Sequence, residues 1–174
     1  MPRPRCSVYI ATSLDGFIAR EDGRIDWLSI VEREGEDYGF KRFFDTTDTL
    51  VMGRKTYETA LSFDTWHYTG KRCIVRTHAP GESLHGEEFY SGDLVELMER
   101  LAEEGAKHVY VDGGMIISQF LAAKLVDEVT VSLIPIVLGE GARLTQKIGH
   151  DVGLELLSSK AFESGLVQIT YRVV

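Results

Sequence analysis

Val51-Met52-Gly53-Arg54-Lys55-Thr56-Tyr57-Glu58 decides the reading of this chain, taken together with Val111-Asp112-Gly113-Gly114-Met115 further along. Each is a short apolar run that ends in glycine and opens into residues with helical spacing. A strand that feeds a helix through glycine leaves backbone N–H groups free at the helix start, where the helix dipole also favours negative charge. Two such anion sites in one small domain point to a ligand with more than one phosphate group. Arg54 and Lys55 stand at the first of them, a planar fork that grips phosphate and a point charge beside it. Taken singly, each stretch is also what an ordinary strand–helix turn looks like. The pair, in this order, carries the reading.

The flanking sequence supplies alternating strands and helices. Residues 6–12 form a β-branched and aromatic first strand, broken by Ser13-Leu14-Asp15-Gly16. Residues 13–34 lack a pattern and read as a long loop, which in a compact domain is usually functional. A short amphipathic helix over 36–45 follows, with Tyr38, Phe40, Phe43 and Phe44 as its apolar positions. Strand 49–52, helix 55–62, strand 71–76 and a short strand at 88–90 come next. The clearest helix is 93–104, with Asp93 as cap, Glu96 three residues on, and Leu94, Leu97, Met98, Leu101 and Ala102 as its stripe. Strand 107–111 and helix 115–123 precede an all-strand end at 127–134, 154–162 and 166–174, the last two joined at Glu163-Ser164-Gly165. This order predicts an α/β fold: a mixed, mostly parallel sheet with helices on both faces and a C-terminal antiparallel hairpin. In such sheets ligands bind at the carboxyl ends of the strands, here the loops after residues 12, 52, 76 and 111.

At 174 residues the chain is expected to be a single domain, 1–174. Its 44% apolar and 26% charged residues are those of an ordinary globular protein. With 27 acidic against 19 basic side chains, the net charge of −8 argues against a nucleic-acid binder. Arg and Lys can still line an anionic ligand's cleft, where local potential matters more than net charge. No 18-residue apolar run argues for a membrane span, and no apolar core follows Met1-Pro2-Arg3-Pro4-Arg5. Cys6 and Cys73 are too few for a metal cluster or disulfide framework, so no metal is expected and a reduced cytoplasm is. The five histidines show no ligand spacing, and there is no zinc-deaminase signature.

Five motifs in this order resemble the dihydrofolate reductase superfamily. They are Val8-Tyr9-Ile10-Ala11-Thr12-Ser13-Leu14-Asp15-Gly16-Phe17-Ile18-Ala19, Met52-Gly53-Arg54-Lys55-Thr56, Asp112-Gly113-Gly114, Leu125-Val126-Asp127-Glu128 and Pro135-Ile136-Val137-Leu138-Gly139-Glu140-Gly141. The resemblance covers nearly the whole chain. It is closest to the branch shaped like the C-terminal reductase domain of bifunctional riboflavin-biosynthesis deaminase–reductase proteins. Asp112 stands before the glycine pair as in that branch, where folate-reducing relatives carry a third glycine.

The resemblance implies a dihydrofolate reductase-like three-layer α/β/α sandwich that binds NADPH. Gly53, Arg54, Lys55 and Thr56 would hold its phosphates, with the Thr56 hydroxyl and backbone amides on the pyrophosphate and Arg54 on the adenosine-side phosphate. Arg76 and Thr77 would take the adenosine 2′-phosphate; the alternative is a solvated strand end. Gly113 and Gly114, followed by Met115 and Ile116, would lie beside the nicotinamide end, with a cis peptide between the glycines in many relatives. Asp15–Ala19, including Ile18, would form a mobile loop above Ala11 and Thr12, although Asp before Gly is also a common turn device. Folate-reducing relatives place a proton-donating carboxylate on the helix after this loop. Glu36 and Asp37 both qualify, Asp37 being preferred, and either is also a favourable solvated charge at a helix start. Trp27 and Tyr38 are pocket walls or plain core aromatics.

The expected activity is an NADPH-dependent reductase that transfers hydride to a small heterocyclic or ribosyl substrate. The nearest model is the 5-amino-6-(5-phosphoribosylamino)uracil reductase of riboflavin biosynthesis. Alternatives are a dihydrofolate or pterin reductase, and a nucleotide-binding module with the fold but no turnover. The apolar C-terminal strands, with relatives that pair through this region, predict a homodimer, and neither nucleic acid nor membrane is an expected partner.

Overall fold

The computed structural model describes residues 2–174. In chain order its elements are β1 (Arg5–Ser13), β2 (Phe17–Ala19), a 3-10 helix (Asp26–Val31), α1 (Phe40–Thr46), β3 (Thr49–Gly53), α2 (Arg54–Leu61), β4 (Arg72–Arg76) and β5 (Glu88–Tyr90). Then come α3 (Leu94–Glu103), β6 (His108–Asp112), α4 (Gly114–Ala122), β7 (Glu128–Ile134), β8 (Ala142–Arg143), β9 (Leu154–Ala161) and β10 (Val167–Val173). Eight strands form one sheet in the order β5-β4-β3-β6-β1-β7-β10-β9. Every neighbouring pair from β5 to β7 is parallel. β10 runs antiparallel to both β7 and β9, which makes the C-terminal hairpin the mixed edge.

The central strands are apolar on both faces because both faces are covered. Val8, Val51, Ile74, Val109 and Val111 meet Leu97, Met98 and Leu101 of α3 and Ile116, Ile117 and Phe120 of α4. On the other face Leu50, Met52, Cys73, Val75 and Tyr110 lie under Tyr57 of α2 and Phe43 and Phe44 of α1. The sheet between two helical layers gives the dihydrofolate reductase-like three-layer arrangement. The α3 stripe is fully buried at Leu97 and Leu101, each side chain contributing roughly 1.5–3 kcal/mol. Asp93 caps that helix, its carboxylate accepting from Val95 N at 2.8 Å and Glu96 N at 3.1 Å.

Two sequence expectations change. Residues 13–34 are not one loop: β2 pairs with β8 in a small second sheet, and the 3-10 helix buries Trp27 and Val31 against Ile134 and Leu166. The helix expected from residue 36 begins at Phe40, because Tyr38 and Gly39 adopt left-handed backbone (φ 55° and 83°), which no helix continues through. Among the described residues no helix is long and apolar enough to cross a membrane.

Candidate active site

The register Met52↔Asp112 sets β3 beside β6, so Gly53 and Gly113 end adjacent strands at the same level. α2 leaves Gly53 toward one face of the sheet and α4 leaves Gly113 toward the other, and neither helix start has a side-chain cap. A Cβ placed on Gly113 would lie 2.7 Å from Thr56 Oγ1, so the first turn of α2 leans on the start of α4. Nothing lies within 4 Å of a Cβ placed on Gly53. Two uncapped helix starts, each with free N–H groups and a positive dipole end, thus lie side by side, with open space at the Gly53 end, an arrangement suited to a diphosphate.

Each glycine of the pair has its own reason. Gly113 turns the corner at φ 109°, a backbone that only glycine adopts readily. The described residues contain no cis peptide, so the cis Gly113–Gly114 bond implied by the resemblance is absent and the φ of Gly113 makes the turn instead. A Cβ on Gly114 would run into the Arg143 carbonyl and come within 3.3 Å of Ile18 Cδ1. The small β2–β8 sheet thus presses on the start of α4 and brings Ile18 to it. Met115 is 58% exposed at this helix start, whereas Ile116 is turned into the core.

The basic residues separate. Arg54 donates from Nε to Glu58 Oε1 and from Nη1 to the Ala79 carbonyl, both at 2.8 Å. With Tyr57, Thr77, Leu84 and Phe89 it lines a cleft of about 260 Å³. Arg76 points to the opposite face, Nε to Gln119 Oε1 at 3.0 Å and Nη1 to the Gly92 carbonyl. It is neither a solvated strand end nor a neighbour of Arg54 in that cleft. Lys55 is exposed beside the α2 start. Glu87, which the sequence reading missed, fixes the far wall of the cleft. It is buried and accepts from the Tyr57 hydroxyl, Leu84 N (2.9 Å) and His85 N (2.7 Å). Burial favours its neutral form, but these donors outweigh burial and hold the carboxyl at about 2. No local pattern signals its pairing with Tyr57, which lies 30 residues earlier in the chain.

Asp15 is a structural tie. Its carboxylate accepts from Ser13 Oγ (2.6 Å), Leu138 N (3.1 Å) and Gly139 N (2.8 Å), which fastens the loop after β1 to the turn after β7. Thr12 is buried with its hydroxyl on the Ser13 carbonyl, and Ala11 packs beside Trp27, Tyr38 and Ile136.

The carboxylates reverse the sequence expectation. Asp37 is exposed and accepts from Gly39 N and Lys41 N, both at 2.9 Å. The backbone N–H of Lys41, then that of Gly39, hold it below the usual carboxylate range. Glu36, also exposed, accepts from Tyr38 N at 2.7 Å. Both are the solvated charges of the alternative reading, and a carboxylate held ionised as Asp37 is makes a poor proton donor. Asp112 behaves oppositely. It ends β6 half-buried beside Gly113, near Tyr110 and Tyr68, and burial pushes its carboxyl up to about 6 despite the nearby polar groups of Tyr110 and Gly113. The signal was in the sequence, since a lone acid closes an otherwise apolar strand at the glycine pair. Among the described residues no group of His, Cys, Asp or Glu is placed to hold a metal ion.

The family model of the RibD C-terminal domain matches residues 67–168. The chain is 36% identical to the uncharacterized protein YwjB of Bacillus subtilis, over 94% of this chain and 95% of that one. It superposes with a TM-score of 0.92 and 35% identity on a putative riboflavin biosynthesis protein from Shewanella sp. PV-4, covering 98% of this chain and 99% of that one. A dihydrofolate reductase from Enterococcus faecalis, complexed with NADP(H) and RAB-propyl, shares the fold at TM-score 0.67 and 17% identity, with 97% and 96% coverage. Two helix starts meeting at paired glycines, a half-buried acid beside them and these likenesses lead to one family: the chain belongs to the RibD C-terminal domain family of riboflavin-biosynthesis-type reductases, on a dihydrofolate reductase-like fold.

Proposed function

We propose that this protein is an NADPH-dependent reductase of a ribosylated pyrimidine, most like 5-amino-6-(5-phosphoribosylamino)uracil reductase. The observation that carries the reading is the meeting of two uncapped helix starts at Gly53 and Gly113, with open space at Gly53. NADPH fits there: backbone amides of α2 and α4 and the Thr56 hydroxyl would hold the pyrophosphate. Arg54 and Lys55, with Thr77 across the cleft, would hold the adenosine-side phosphates, and Arg76 would steady this wall from behind through Gln119. Met115 and Ile18 would border the nicotinamide above the floor at Ala11 and Thr12. Bound NADPH would supply the hydride.

The protein's own part is to orient and to protonate. Asp112 is the acid of this reading: its carboxyl, raised to about 6, would pass its proton to the ribose ring oxygen as the C1′–O bond breaks and C1′ takes the hydride, so that the released oxygen leaves as a hydroxyl. Trp27 forms the substrate-side wall. It is 2% exposed, and its Nε1–H has no partner, an unpaired donor that a polar substrate or its water would satisfy. The surface position of Glu36 and Asp37 argues against the folate type of acid and so against a dihydrofolate reductase.

Calorimetric titration with NADPH and NADH tests the cofactor, and NADPH oxidation with the uracil ribosylamine, dihydrofolate and a pterin tests the substrate. NADPH should bind more tightly than NADH, and Arg54→Ala should remove roughly 1–3 kcal/mol of that preference. Equal affinities in the wild type would defeat the cofactor reading.

A further inference from the structure

Tyr38 is the one residue outside glycine and Lys124 with a positive φ among the described residues, and it is held from four directions. Its N–H donates to Glu36 Oε1 at 2.7 Å. Its carbonyl accepts from the Tyr9 hydroxyl and from Gln168 Nε2 at 3.0 Å. Its hydroxyl bonds the Val31 carbonyl and Ser164 Oγ, the latter at 2.7 Å. Its ring meets Phe162 edge-on with centroids 4.8 Å apart. A bulky L residue rarely adopts this backbone unless its surroundings over-determine it.

The grip comes from the far end of the chain. Gln168 lies on β10 opposite Ser132 of β7, and its Nε2 also reaches Ser132 Oγ (3.0 Å) and the Tyr9 hydroxyl (2.8 Å). Phe162 and Ser164 belong to the turn between β9 and β10. The C-terminal hairpin therefore fixes the segment that launches α1. Two residues beyond Tyr38, Phe40 opens α1, 37% exposed, with its ring 6.2 Å from that of Tyr110 on the strand that ends in Asp112. On its other side Tyr38 packs in the same cluster as Trp27. With its hydroxyl and ring spent inward, Tyr38 does not serve as a pocket wall.

We propose that Tyr38 and Gln168 are positioning residues: the hairpin latches Tyr38 in its left-handed turn and so sets Phe40 against Tyr110, two residues before Asp112 on β6, and holds the Trp27 cluster behind it, which governs substrate fit and leaves the cofactor site alone. This rests on the reductase reading above. The test is Gln168→Leu in the full chain, with Ser164→Ala as a milder variant should the first not fold. Backbone hydrogen exchange over residues 36–40 should accelerate. KM for 5-amino-6-(5-phosphoribosylamino)uracil should rise roughly three- to ten-fold, the worth of one neutral hydrogen bond, while the NADPH Kd from calorimetry stays unchanged. Unchanged exchange overturns the latch, and faster exchange with unchanged KM overturns the positioning role. A parallel loss of NADPH affinity overturns it too, because the effect would then be general loosening. A wild type that binds NADPH but leaves this substrate untouched defeats the reductase reading instead, and the exchange measurement still decides the latch.

Discussion

Asp112 and His108 lie on the same strand and titrate in opposite senses. The Asp112 carboxyl sits at about 6, above its unfolded value near 3.9, so the folded state binds the extra proton between those limits. Its stabilising effect is complete below the unfolded value and is lost as pH rises through about 6. Asp112→Asn should therefore raise stability at pH 8, by up to roughly 3 kcal/mol, as urea unfolding would read. The same variant should lower kcat by roughly 10²–10⁴ and remove the limb near pH 6, above which the wild-type rate falls. Stability without that loss of rate would take the acid role away from Asp112. His108 lies at the other end of β6, buried, with Ser7 Oγ 2.8 Å from Nε2 and Thr46 Oγ1 3.1 Å from Nδ1. Burial, helped by the nearby Arg5 charge, holds its pKa down. The unfolded chain takes up a proton near 6.5 while the folded chain resists, so stability should fall as pH drops below that value. His108→Asn should flatten the urea midpoint between pH 7 and 5. An unchanged slope would show that other groups set the acid limb.

At the scale of elements, what could be read from sequence is what local chemistry specifies. α3 was legible because Asp93, Glu96 and the leucine stripe act within one helix. The central strands were legible because burial on both faces demands unbroken apolar runs, as at Leu50–Met52. The start of α1 was not, since it is set by Gln168, Tyr9 and Ser164, residues remote in sequence that hold Tyr38 against its own preference. The β2–β8 sheet was missed because β8 is two residues long and has no pattern of its own. Of the candidate site, the glycines and Arg54 could be read as a motif. The orientation of Arg76 depends on Gln119 of another helix and could not. That small sheet also changes what glycine substitution should do. Gly114→Ala drives a Cβ into the Arg143 carbonyl, backbone that cannot swing aside, so the loss should appear in folding. Gly113→Ala meets the end of a side chain, Thr56 Oγ1, but is strained at φ 109°. Thermal unfolding should show a larger drop for Gly114→Ala than for Gly53→Ala, which faces open space. Equal melting temperatures would mean that β8 does not bear on α4.

The whole molecule ends its sheet on a strand that a lone chain leaves unprotected. β9 is exposed along its entire length, Leu154, Leu156 and Leu157 are 41–58% exposed, and among the described residues no strand pairs beyond it. An apolar edge of this kind templates uncontrolled pairing unless something covers it. Val137, 63% exposed in the turn after β7, adds further apolar surface. A second copy of the chain is the simplest cover, because a two-fold axis sets the same strands against each other and closes this edge in both copies. The expected assembly is a homodimer burying at least roughly 1,200 Å² in total, built from β9, β10 and the turn around Leu138–Gly141. Light scattering at micromolar concentration should give twice the chain mass of 19.5 kDa. Leu156→Lys, which puts a charge at the centre of the edge, should halve that mass and leave Asp112 chemistry in place, since β9 lies at the sheet edge and β6 at its centre. A wild type that stays at 19.5 kDa at every dilution, and does not aggregate, would show that the leucines of β9 tolerate water and that the edge needs no partner.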